Sequence, residues 1–284
     1  MLGIPWCLRQ KWLHKLSRGI SMYKIINNST IHKDATIGDN VKIGPYCFID
    51  KDVVIGDGCV IEPNVTIYQG ARIGKGCHIF PGAVISAIPQ DLKFAGEKTI
   101  VQIGDNTTIR ECVTINRGTS YADKTVIGND CLLMAYAHVA HDCILGDHVI
   151  LANSVNLAGH VELEDWVILE GYVGVPQFVK IGKHSFIAAK CLVRKDVPPY
   201  VKAAREPIAY VGVNAVGLER RGFGKEEIKT IHEIYRELFV MKGNLSQALQ
   251  ILREEYPESV FKTDIVSFIE ASEKGIIRGT RGGR

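Results

Sequence analysis

Residues 35–61 read Ala35-Thr-Ile-Gly-Asp-Asn-Val41-Lys-Ile-Gly-Pro-Tyr-Cys47-Phe-Ile-Asp-Lys-Asp-Val53-Val-Ile-Gly-Asp-Gly-Cys59-Val-Ile61. An isoleucine stands at every sixth position, and a smaller apolar residue precedes each isoleucine by two positions. This period fits neither an α-helix, with 3.6 residues per turn, nor a plain strand, with a period of two. A short, strictly regular repeat of this kind is typical of a solenoid.

The repeat extends far beyond the quoted stretch. Isoleucine occupies every sixth position from Ile25 to Ile85 and returns in the same phase at residues 103, 109 and 115. From Ile127 to Val193 the same phase is kept by isoleucine, leucine or valine. The pattern therefore covers most of residues 25–193, with two interruptions.

The repeat predicts the shape of each unit. Two inward residues separated by one outward residue make a short strand, because side chains alternate across a strand. The other three residues of each hexad turn a corner, and a glycine often follows the large apolar residue where a side chain would crowd that corner. These glycines are Gly44, Gly56, Gly74, Gly104, Gly128 and Gly182. We predict a triangular parallel β-solenoid with three hexads per coil and roughly nine coils.

Composition excludes several protein classes. The 284 residues are 46% hydrophobic and 23% charged, with a formal net charge of +3. These values exclude a disordered chain, a collagen and a disulfide-stapled miniprotein. The near balance of charge argues against nucleic acid as the main partner. No apolar run is long enough for a transmembrane helix, so we expect no transmembrane segment.

Residues 1–21 form a basic extension that carries four cations and no acid. It lacks the apolar core and cleavage site of a secretory signal. Three interpretations stay open: residues translated from an upstream start codon or added by cloning, an organelle presequence, or an amphipathic surface anchor. We expect a β-helical catalytic domain at 22–199 and a C-terminal helical domain at 200–284.

The cysteines follow the repeat rather than any metal or disulfide motif. The small inward position is occupied by Cys47, Cys59, Cys77, Cys131, Cys143 and Cys191. Their spacing supports neither a zinc ribbon nor a disulfide framework. We interpret them as buried thiols in a reducing compartment and expect a cytoplasmic protein.

Two polar segments interrupt the repeat, at residues 86–98 and 116–124, and loops extruded from a rigid scaffold commonly carry function. After Tyr200 the hexads end and helical spacing begins. Three amphipathic stripes, near residues 228–239, 245–252 and 260–269, predict three helices that cap the end of the solenoid.

Histidines concentrate at one corner of the predicted column. His138 lies outward between two inward residues, and His141 and Asp142 follow at the next corner. One coil later, 18 residues on, Gly159 and His160 fall almost directly above His141. A histidine beside a carboxylate suits a general base, and a glycine N–H can donate to an oxyanion. Three histidines would also suffice to bind zinc, so that alternative stays open here.

Several motifs resemble one family closely. They are Pro89-Gln-Asp-Leu-Lys-Phe-Ala-Gly96, Ile109-Arg-Glu-Cys-Val-Thr-Ile-Asn-Arg-Gly118, His138-Val-Ala-His-Asp-Cys143, Leu157-Ala-Gly-His160, Asp196-Val-Pro-Pro-Tyr200 and Gly217-Leu-Glu-Arg-Arg-Gly-Phe223. The hexads resemble the left-handed β-helix of the hexapeptide acyltransferases. These motifs resemble, more narrowly, the UDP-N-acetylglucosamine acyltransferase family of lipid A biosynthesis, over roughly residues 23–278.

The resemblance implies a cytoplasmic homotrimer that transfers an (R)-3-hydroxyacyl chain from acyl carrier protein to the glucosamine 3-hydroxyl of UDP-N-acetylglucosamine. It implies that His141 is the general base, that Asp142 orients it and that Gly159 stabilises the oxyanion. The groove residues that it implies are Asp91, Lys93, His138, His160 and Gln177. Those implied at the UDP end are Asn214, Arg220 and Arg221. It implies no metal and no diffusible cofactor.

The chain departs from the family pattern at four positions. Pro176 stands where histidine is usual, Ala189 where glycine is common, and Val216 where many members carry an acid, while Asn116 replaces a histidine of some members. None of these touches the proposed base, so we expect an active enzyme whose acyl length and acceptor are not fixed by the sequence.

Three other functions are compatible with a solenoid. One is a zinc-dependent hydratase of the γ-carbonic-anhydrase type that uses the histidines as ligands. Another is an acyltransferase that uses acetyl-CoA and a different acceptor. A non-catalytic scaffold is the third, since repeat proteins often serve as scaffolds.

Overall fold

The structure is a computed structural model that describes residues 23–240 and 244–279. The predicted basic extension, residues 1–21, lies outside these ranges, as does Gly243 between two predicted helices. Within the described ranges, no helix combines the length and the apolar character that crossing a bilayer requires.

The first fourteen strands are β1 (Tyr23–Ile26), β2 (Ser29–His32), β3 (Thr36–Ile37), β4 (Lys42–Ile43), β5 (Phe48–Ile49), β6 (Val54–Ile55), β7 (Val60–Ile61), β8 (Thr66–Ile67), β9 (Ala71–Ile73), β10 (His78–Ile79), β11 (Val84–Ala87), β12 (Ile100–Ile103), β13 (Thr108–Ile109) and β14 (Thr114–Asn116). The others are β15 (Lys124–Ile127), β16 (Leu132–Leu133), β17 (His138–Val139), β18 (Ile144–Leu145), β19 (Ile150–Leu151), β20 (Asn156–Leu157), β21 (Glu162–Leu163), β22 (Ile168–Leu169), β23 (Gly174–Val175), β24 (Lys180–Ile181), β25 (Phe186–Ile187), β26 (Val201–Ala204), β27 (Ala209–Val213) and β28 (Arg278–Gly279). The helices are α1 (Ala215–Arg220), α2 (Lys225–Phe239), α3 (Leu245–Glu255) and α4 (Val260–Glu270).

Every third strand from β2 to β25 joins the same sheet, so the chain winds through three parallel sheets and closes a triangular prism. We name them sheet A (β1, β2, β5, β8, β11, β14, β17, β20, β23), sheet B (β3, β6, β9, β12, β15, β18, β21, β24) and sheet C (β4, β7, β10, β13, β16, β19, β22, β25 to β28). The inward residues of the hexads fill the interior, where nearly all of them are fully buried. The predicted fold, a left-handed parallel β-helix followed by a small set of helices, is confirmed.

The prediction of roughly nine coils agrees with the structure, in which eight complete coils are followed by a ninth that pairs through single bridges at Leu192 and Val197 and through β26. At the start, β1 runs antiparallel to β2, with Lys24 opposite Ile31, so Ile25 belongs to a hairpin and not to a coil. Asn27 and Asn28 both have positive φ, at 49° and 58°, as the two central residues of a tight hairpin turn require. β1 therefore pairs with the edge of β2 that no coil covers.

The far end of the column also differs from the prediction. Three of the helices coincide with the three predicted amphipathic segments. The antiparallel hairpin of β26 and β27 was not predicted from the sequence. β26 pairs in parallel with β25 and therefore extends sheet C, and β28 adds a last strand beside β27. The short helix α1 was not predicted either. The hairpin directs α1 to the outer side of sheet C.

The corner glycines lie against the backbone of the next coil, where a side chain would clash, as predicted. A Cβ added to Gly74 would lie 2.7 Å from the carbonyl carbon of Gly104, and one added to Gly104 would lie 2.6 Å from that of Gly128. Such separations are far inside van der Waals contact. Backbone packing between coils therefore excludes a side chain at these positions.

The inward cysteines do more than fill space. The thiol of Cys59 lies 3.1 Å from the carbonyl oxygen of Gly74, and the thiol of Cys143 lies 3.1 Å from that of Ala158. The hydroxyl of Thr107 makes the same contact with a corner carbonyl, at 2.9 Å. The small inward position thus supplies a weak donor to a corner carbonyl of the next coil, which explains why Cys, Ser and Thr recur there.

A ladder of rings joins the column to the helices at the corner between sheets B and C. His148 stacks on Trp166 at 3.9 Å, and His184 continues the ladder to Tyr200 at 5.6 Å. Tyr200 in turn packs against Phe261 of α4. Burial, together with neighbouring cationic side chains, lowers the pKa of His184 to about 4. The imidazole is therefore neutral in this ladder at neutral pH.

We predict that His184 makes the fold sensitive to mild acid. Its folded pKa lies below the ordinary value near 6.5, so the unfolded chain binds more protons between these values and stability falls as pH drops from about 6.5 to 4. Partial exposure limits the effect to about 1–2 kcal/mol at pH 5. Thermal unfolding at pH 7 and pH 5 should show a larger fall in Tm for the wild type than for His184→Phe, which keeps a stacking ring without a titratable nitrogen. Equal falls would contradict this role.

Candidate active site

The histidine cluster lies where sheet A turns into sheet B. β17 places His138 on the outer face of sheet A, and the chain then turns through residues 140–143 into β18. The Nδ1 atom of His138 lies 2.7 Å from the hydroxyl of Thr114 on the neighbouring strand. Burial first, and the nearby His141 second, lower the pKa of His138. This ring is therefore a neutral hydrogen-bonding group.

His141 and Asp142 form a paired base and carboxylate. The Nδ1 atom of His141 lies 2.8 Å from Oδ2 of Asp142. Both residues are buried although they lie outside the apolar column, because residues 117–123 cover the corner. Asp142 has a φ of 59°, and its own N–H donates to the hydroxyl of Thr125 at 2.9 Å. The corner thus fixes both the backbone and the side chain of the pair.

Gly159 packs against the His141 ring from the next coil. A Cβ added to Gly159 would lie 2.5 Å from Cε1 and 2.7 Å from Nε2 of His141. Only a glycine leaves room for the imidazole at this distance. The register expected from the 18-residue coil is therefore the one found, with His141 directly beside Gly159.

The amide N–H of Gly159 differs from most of those at the corner between sheets B and C. There a carboxylate of the next coil commonly accepts the corresponding N–H, as Asp165 does from Asp147 at 2.8 Å and as Asp147 does from Asn129 at 2.7 Å. Gln177 stands at the corresponding position above Gly159, and in the described part of the chain no acceptor bonds to the Gly159 N–H. This N–H is therefore available to a bound oxyanion.

His160 completes the cluster from the same corner as Gly159. Its ring stacks on Phe178 at 4.3 Å and receives the edge of Tyr121 at 4.5 Å. Its Nδ1 atom is buried without a hydrogen bond in the described structure and lies 3.8 Å from Oδ2 of Asp142. Burial is the largest effect on the pKa of His160 and lowers it. This arrangement favours a neutral ring.

A cavity of about 440 Å³ opens along this corner. Among the predicted residues, His138, His141, Gly159 and Gln177 line it. Gln90, at the start of the long loop, also lines it and was missed, although it stands beside the predicted Asp91 in the same motif. Pro176 lines the cavity too and offers no side-chain hydrogen bond there.

Asp91 and Lys93 lie beside this cavity rather than in its wall. They belong to the long loop, where the Lys93 N–H donates to the Asp91 carboxylate at 3.0 Å. Asp91 nonetheless acts on the site, because its charge favours protonation of His160. A larger cavity of about 540 Å³, with Arg194 and Arg205 among its walls, lies farther along the column and shares Leu192 with the first.

The residues predicted for the UDP end lie on another face of the prism. Asn214 and Arg220 line a cavity of about 310 Å³ on the outer side of sheet C, together with Lys202, which the sequence reading missed. Arg221 does not line this cavity. Its guanidinium lies 5.0 Å from the ring centre of Trp166 and 3.3 Å from Nδ1 of His184. A single chain therefore presents the two predicted halves of the site on separate faces.

The cluster resembles a metal site only in part. His141, Asp142 and His160 offer donor atoms that all lie within 4.8 Å of one another, but His138 is not among them. The carboxylate of Asp142 already accepts three hydrogen bonds, two from Thr119 and one from His141. The donor set thus lacks the third imidazole of the zinc alternative, and its carboxylate is committed to other partners.

Comparison with known proteins gives a consistent result. Three family profiles match: "Udp N-acetylglucosamine O-acyltransferase; Domain 2" at residues 196–277, "Bacterial transferase hexapeptide (six repeats)" at 124–159 and "GMPPB C-terminal domain" at 23–126. The solved UDP-N-acetylglucosamine acyltransferase of Bacteroides fragilis is 49% identical, with a TM-score of 0.88 over 90% of this chain and 100% of that one. That of Francisella novicida is 41% identical, with a TM-score of 0.87 over 91% and 95%.

Two curated relatives carry the same name. The acyl-[acyl-carrier-protein]–UDP-N-acetylglucosamine O-acyltransferase of Chlorobaculum parvum is 51% identical over 89% of this chain and 97% of the relative. That of Xanthomonas axonopodis pv. citri is 45% identical over 88% and 96%. With this identity over nearly the whole of both chains, the protein belongs to the acyl-[acyl-carrier-protein]–UDP-N-acetylglucosamine O-acyltransferase family.

Proposed function

We propose that this protein transfers an (R)-3-hydroxyacyl chain from acyl carrier protein to the 3-hydroxyl of the glucosamine ring of UDP-N-acetylglucosamine, the first step of lipid A biosynthesis. The observation that carries the proposal is the alignment of three groups at one corner. Asp142 accepts from Nδ1 of His141, and Gly159 packs against the Nε2 side of the same ring. A base and an oxyanion donor thus face one position in the cavity.

The chemistry follows from these three groups. Nε2 of His141 removes the proton from the sugar hydroxyl as the oxygen attacks the thioester carbonyl. The tetrahedral intermediate carries its negative charge on the former carbonyl oxygen, which the Gly159 N–H stabilises. The carbon–sulfur bond then breaks, and the imidazolium returns its proton to the departing thiolate of the carrier. Asp142 stabilises the imidazolium between these two proton transfers.

The surrounding residues suit a neutral sugar and an extended donor. His138 and His160 are neutral rings, since burial lowers both pKa values, and they can hydrogen-bond hydroxyl or amide groups without adding charge. Gln177 and Gln90 add amides to the cavity wall. We assign Asp91 and Lys93 to the same groove, at its outer rim. Seven described cysteines are free thiols, which fits a reducing cytoplasm.

We propose further that the active unit is a homotrimer with its sites between protomers. The base lies at the corner between sheets A and B, whereas Asn214 and Arg220 lie on the outer side of sheet C. These groups serve one substrate if the corner of one protomer faces sheet C of its neighbour. Arg220 and Lys202 would there provide cations for the diphosphate, and Arg221 would act from its position against Trp166.

The first prediction tests the reaction itself. Purified protein supplied with (R)-3-hydroxyacyl carrier protein and UDP-N-acetylglucosamine should form the 3-O-acyl product. His141→Ala should lower kcat by about 10²–10⁴, the usual cost of losing a general base, without unfolding the column. Mass spectrometry of the product and circular dichroism of the variant provide the measurements. An active His141→Ala variant, or a wild type whose activity requires zinc, would refute the mechanism.

A second prediction concerns the space beside the base. Gly159→Ala should lower kcat/KM by at least about 100-fold, because its methyl group would displace the imidazole and a misplacement of about 1 Å is that costly. Gly171→Ala is the matched control. Gly171 holds the same position in its hexad, and its added Cβ would meet only the Asn153 carbonyl oxygen at 3.4 Å. Equal activities of Gly159→Ala and Gly171→Ala would show that the close contact between Gly159 and the His141 ring is not needed for catalysis.

A third prediction tests the shared site. His141→Ala and Arg220→Ala protomers should each form trimers of low activity. Co-expressed in equal amounts, they should assemble into mixed trimers in which about a quarter of the sites have an intact corner and an intact sheet C. Activity in the mixture well above that of either variant is expected. A mixture whose activity only equals the sum of the two variants' activities would contradict a site between protomers. So would sedimentation that shows the active species to be a monomer.

A further inference from the structure

The shorter interruption of the repeat, residues 116–124, covers the catalytic pair. Thr119 in this loop is buried, and it makes two hydrogen bonds to the same carboxylate. Its N–H donates to Oδ1 of Asp142 at 2.8 Å, and its hydroxyl donates to Oδ2 at 2.6 Å. Together they fix both oxygens of the group that orients the base.

The loop also fixes the direction of the Thr119 hydroxyl. The N–H of Tyr121 donates to this hydroxyl oxygen at 3.2 Å, and the N–H of Asp123 donates to the Thr119 carbonyl at 2.8 Å. A hydroxyl that accepts from one side directs its own proton to the other, here toward Oδ2 of Asp142. The loop is therefore a compact turn that presents one donor to one carboxylate.

These bonds decide the state of Asp142. Burial by itself would raise the pKa of this carboxyl, but the Thr119 hydroxyl, the His141 ring and the Thr119 amide together hold the pKa below its ordinary value. The carboxylate thus stays ionised and can only accept. With Nδ1 of His141 donating to it, Nε2 of the same ring is left without a proton and able to act as a base.

We propose that Thr119 is a positioning residue of this active site: it holds the Asp142 carboxylate in the orientation that the His141 ring requires, without touching substrate itself. This inference rests on the acyl transfer proposed above. It assigns a role to an interruption of the repeat that the mechanism had left without one.

Changing Thr119 removes none of the charged and titratable groups around His141. They are Asp142 at the same corner, His138 on sheet A and His160 from the next coil, while Asp91 acts through His160. A change in the pH dependence of the reaction can therefore be attributed to the lost hydroxyl. Removing that donor leaves the Asp142 carboxylate free to rotate, so its hydrogen bond with Nδ1 of His141 weakens.

The test compares Thr119→Val, which keeps the shape, with Thr119→Ser, which keeps the hydroxyl. We expect Thr119→Val to lower kcat about 10- to 100-fold, with both KM values changed less than about twofold. Its kcat/KM should also fall off at a lower pH than in the wild type, because a carboxylate that is no longer held beside Nδ1 stabilises the imidazolium less. Thr119→Ser should restore most of both properties. Thr36→Val, at an exposed position of β3, is the control for a generic threonine substitution.

Two results would overturn the inference. One is a Thr119→Val enzyme with wild-type kcat and pH profile. The other is a loss that serine does not rescue and that appears as a raised KM, which would make the loop part of the substrate pocket. ¹⁵N spectra of the His141 ring give a readout that needs no turnover: the Nδ1-protonated tautomer should dominate in the wild type and lose its dominance in Thr119→Val. An inactive wild type with that tautomer would count against the proposed function, not against the role of Thr119.

Discussion

The ladder of hydrogen bonds between coils constrains everything else in this protein. Each strand must place its inward pair over the pair of the coil before, so an extra residue can leave the column only at a corner. Both interruptions of the repeat obey this rule at the same corner. The long one leaves β11 of sheet A and returns at β12 of sheet B, and the short one does so between β14 and β15. The next coil at that corner carries His141 and Asp142, which the short loop then covers.

The same ladder explains how a repetitive column produces one unrepeated site. At the corner between sheets B and C, a carboxylate of the next coil commonly accepts the corresponding N–H, as Asp165 does for Asp147. At Gly159 that acceptor is missing and an imidazole of the preceding coil occupies the space. A backbone group that costs stability when left unpaired is thus kept for a charge that forms only during the reaction.

The sequence predicted what the hexads control. The six-residue hexad and the 18-residue coil predict the strand positions, the buried cysteines, the crowded corner glycines and the placement of Gly159 beside His141. The prediction from the sequence failed at the two ends of the column. Ile25 continues the six-residue period but lies in a hairpin, and β26 and β27 have no hexad pattern. The sequence could not show that Thr119 covers Asp142 or that Arg221 lies against Trp166, because loops and helix ends are placed by tertiary contacts that leave no period in the chain.

The geometry of the catalytic corner can itself be derived from the coil. Asp142 and His160 occupy the same corner position one coil apart, and both have left-handed backbone angles, at 59° and 61°. Their side chains therefore project in parallel, and the spacing of neighbouring strands, about 4.8 Å, brings the carboxylate and the imidazole to 3.8 Å. Left-handed residues cost about 1 kcal/mol each, and they recur every six residues along the column, as at Tyr136, His148 and Ser154, where the pairing between coils holds them in place. The position of the His141 ring is consequently set by the backbone repeat. The short loop has only to fix the orientation of the Asp142 carboxylate.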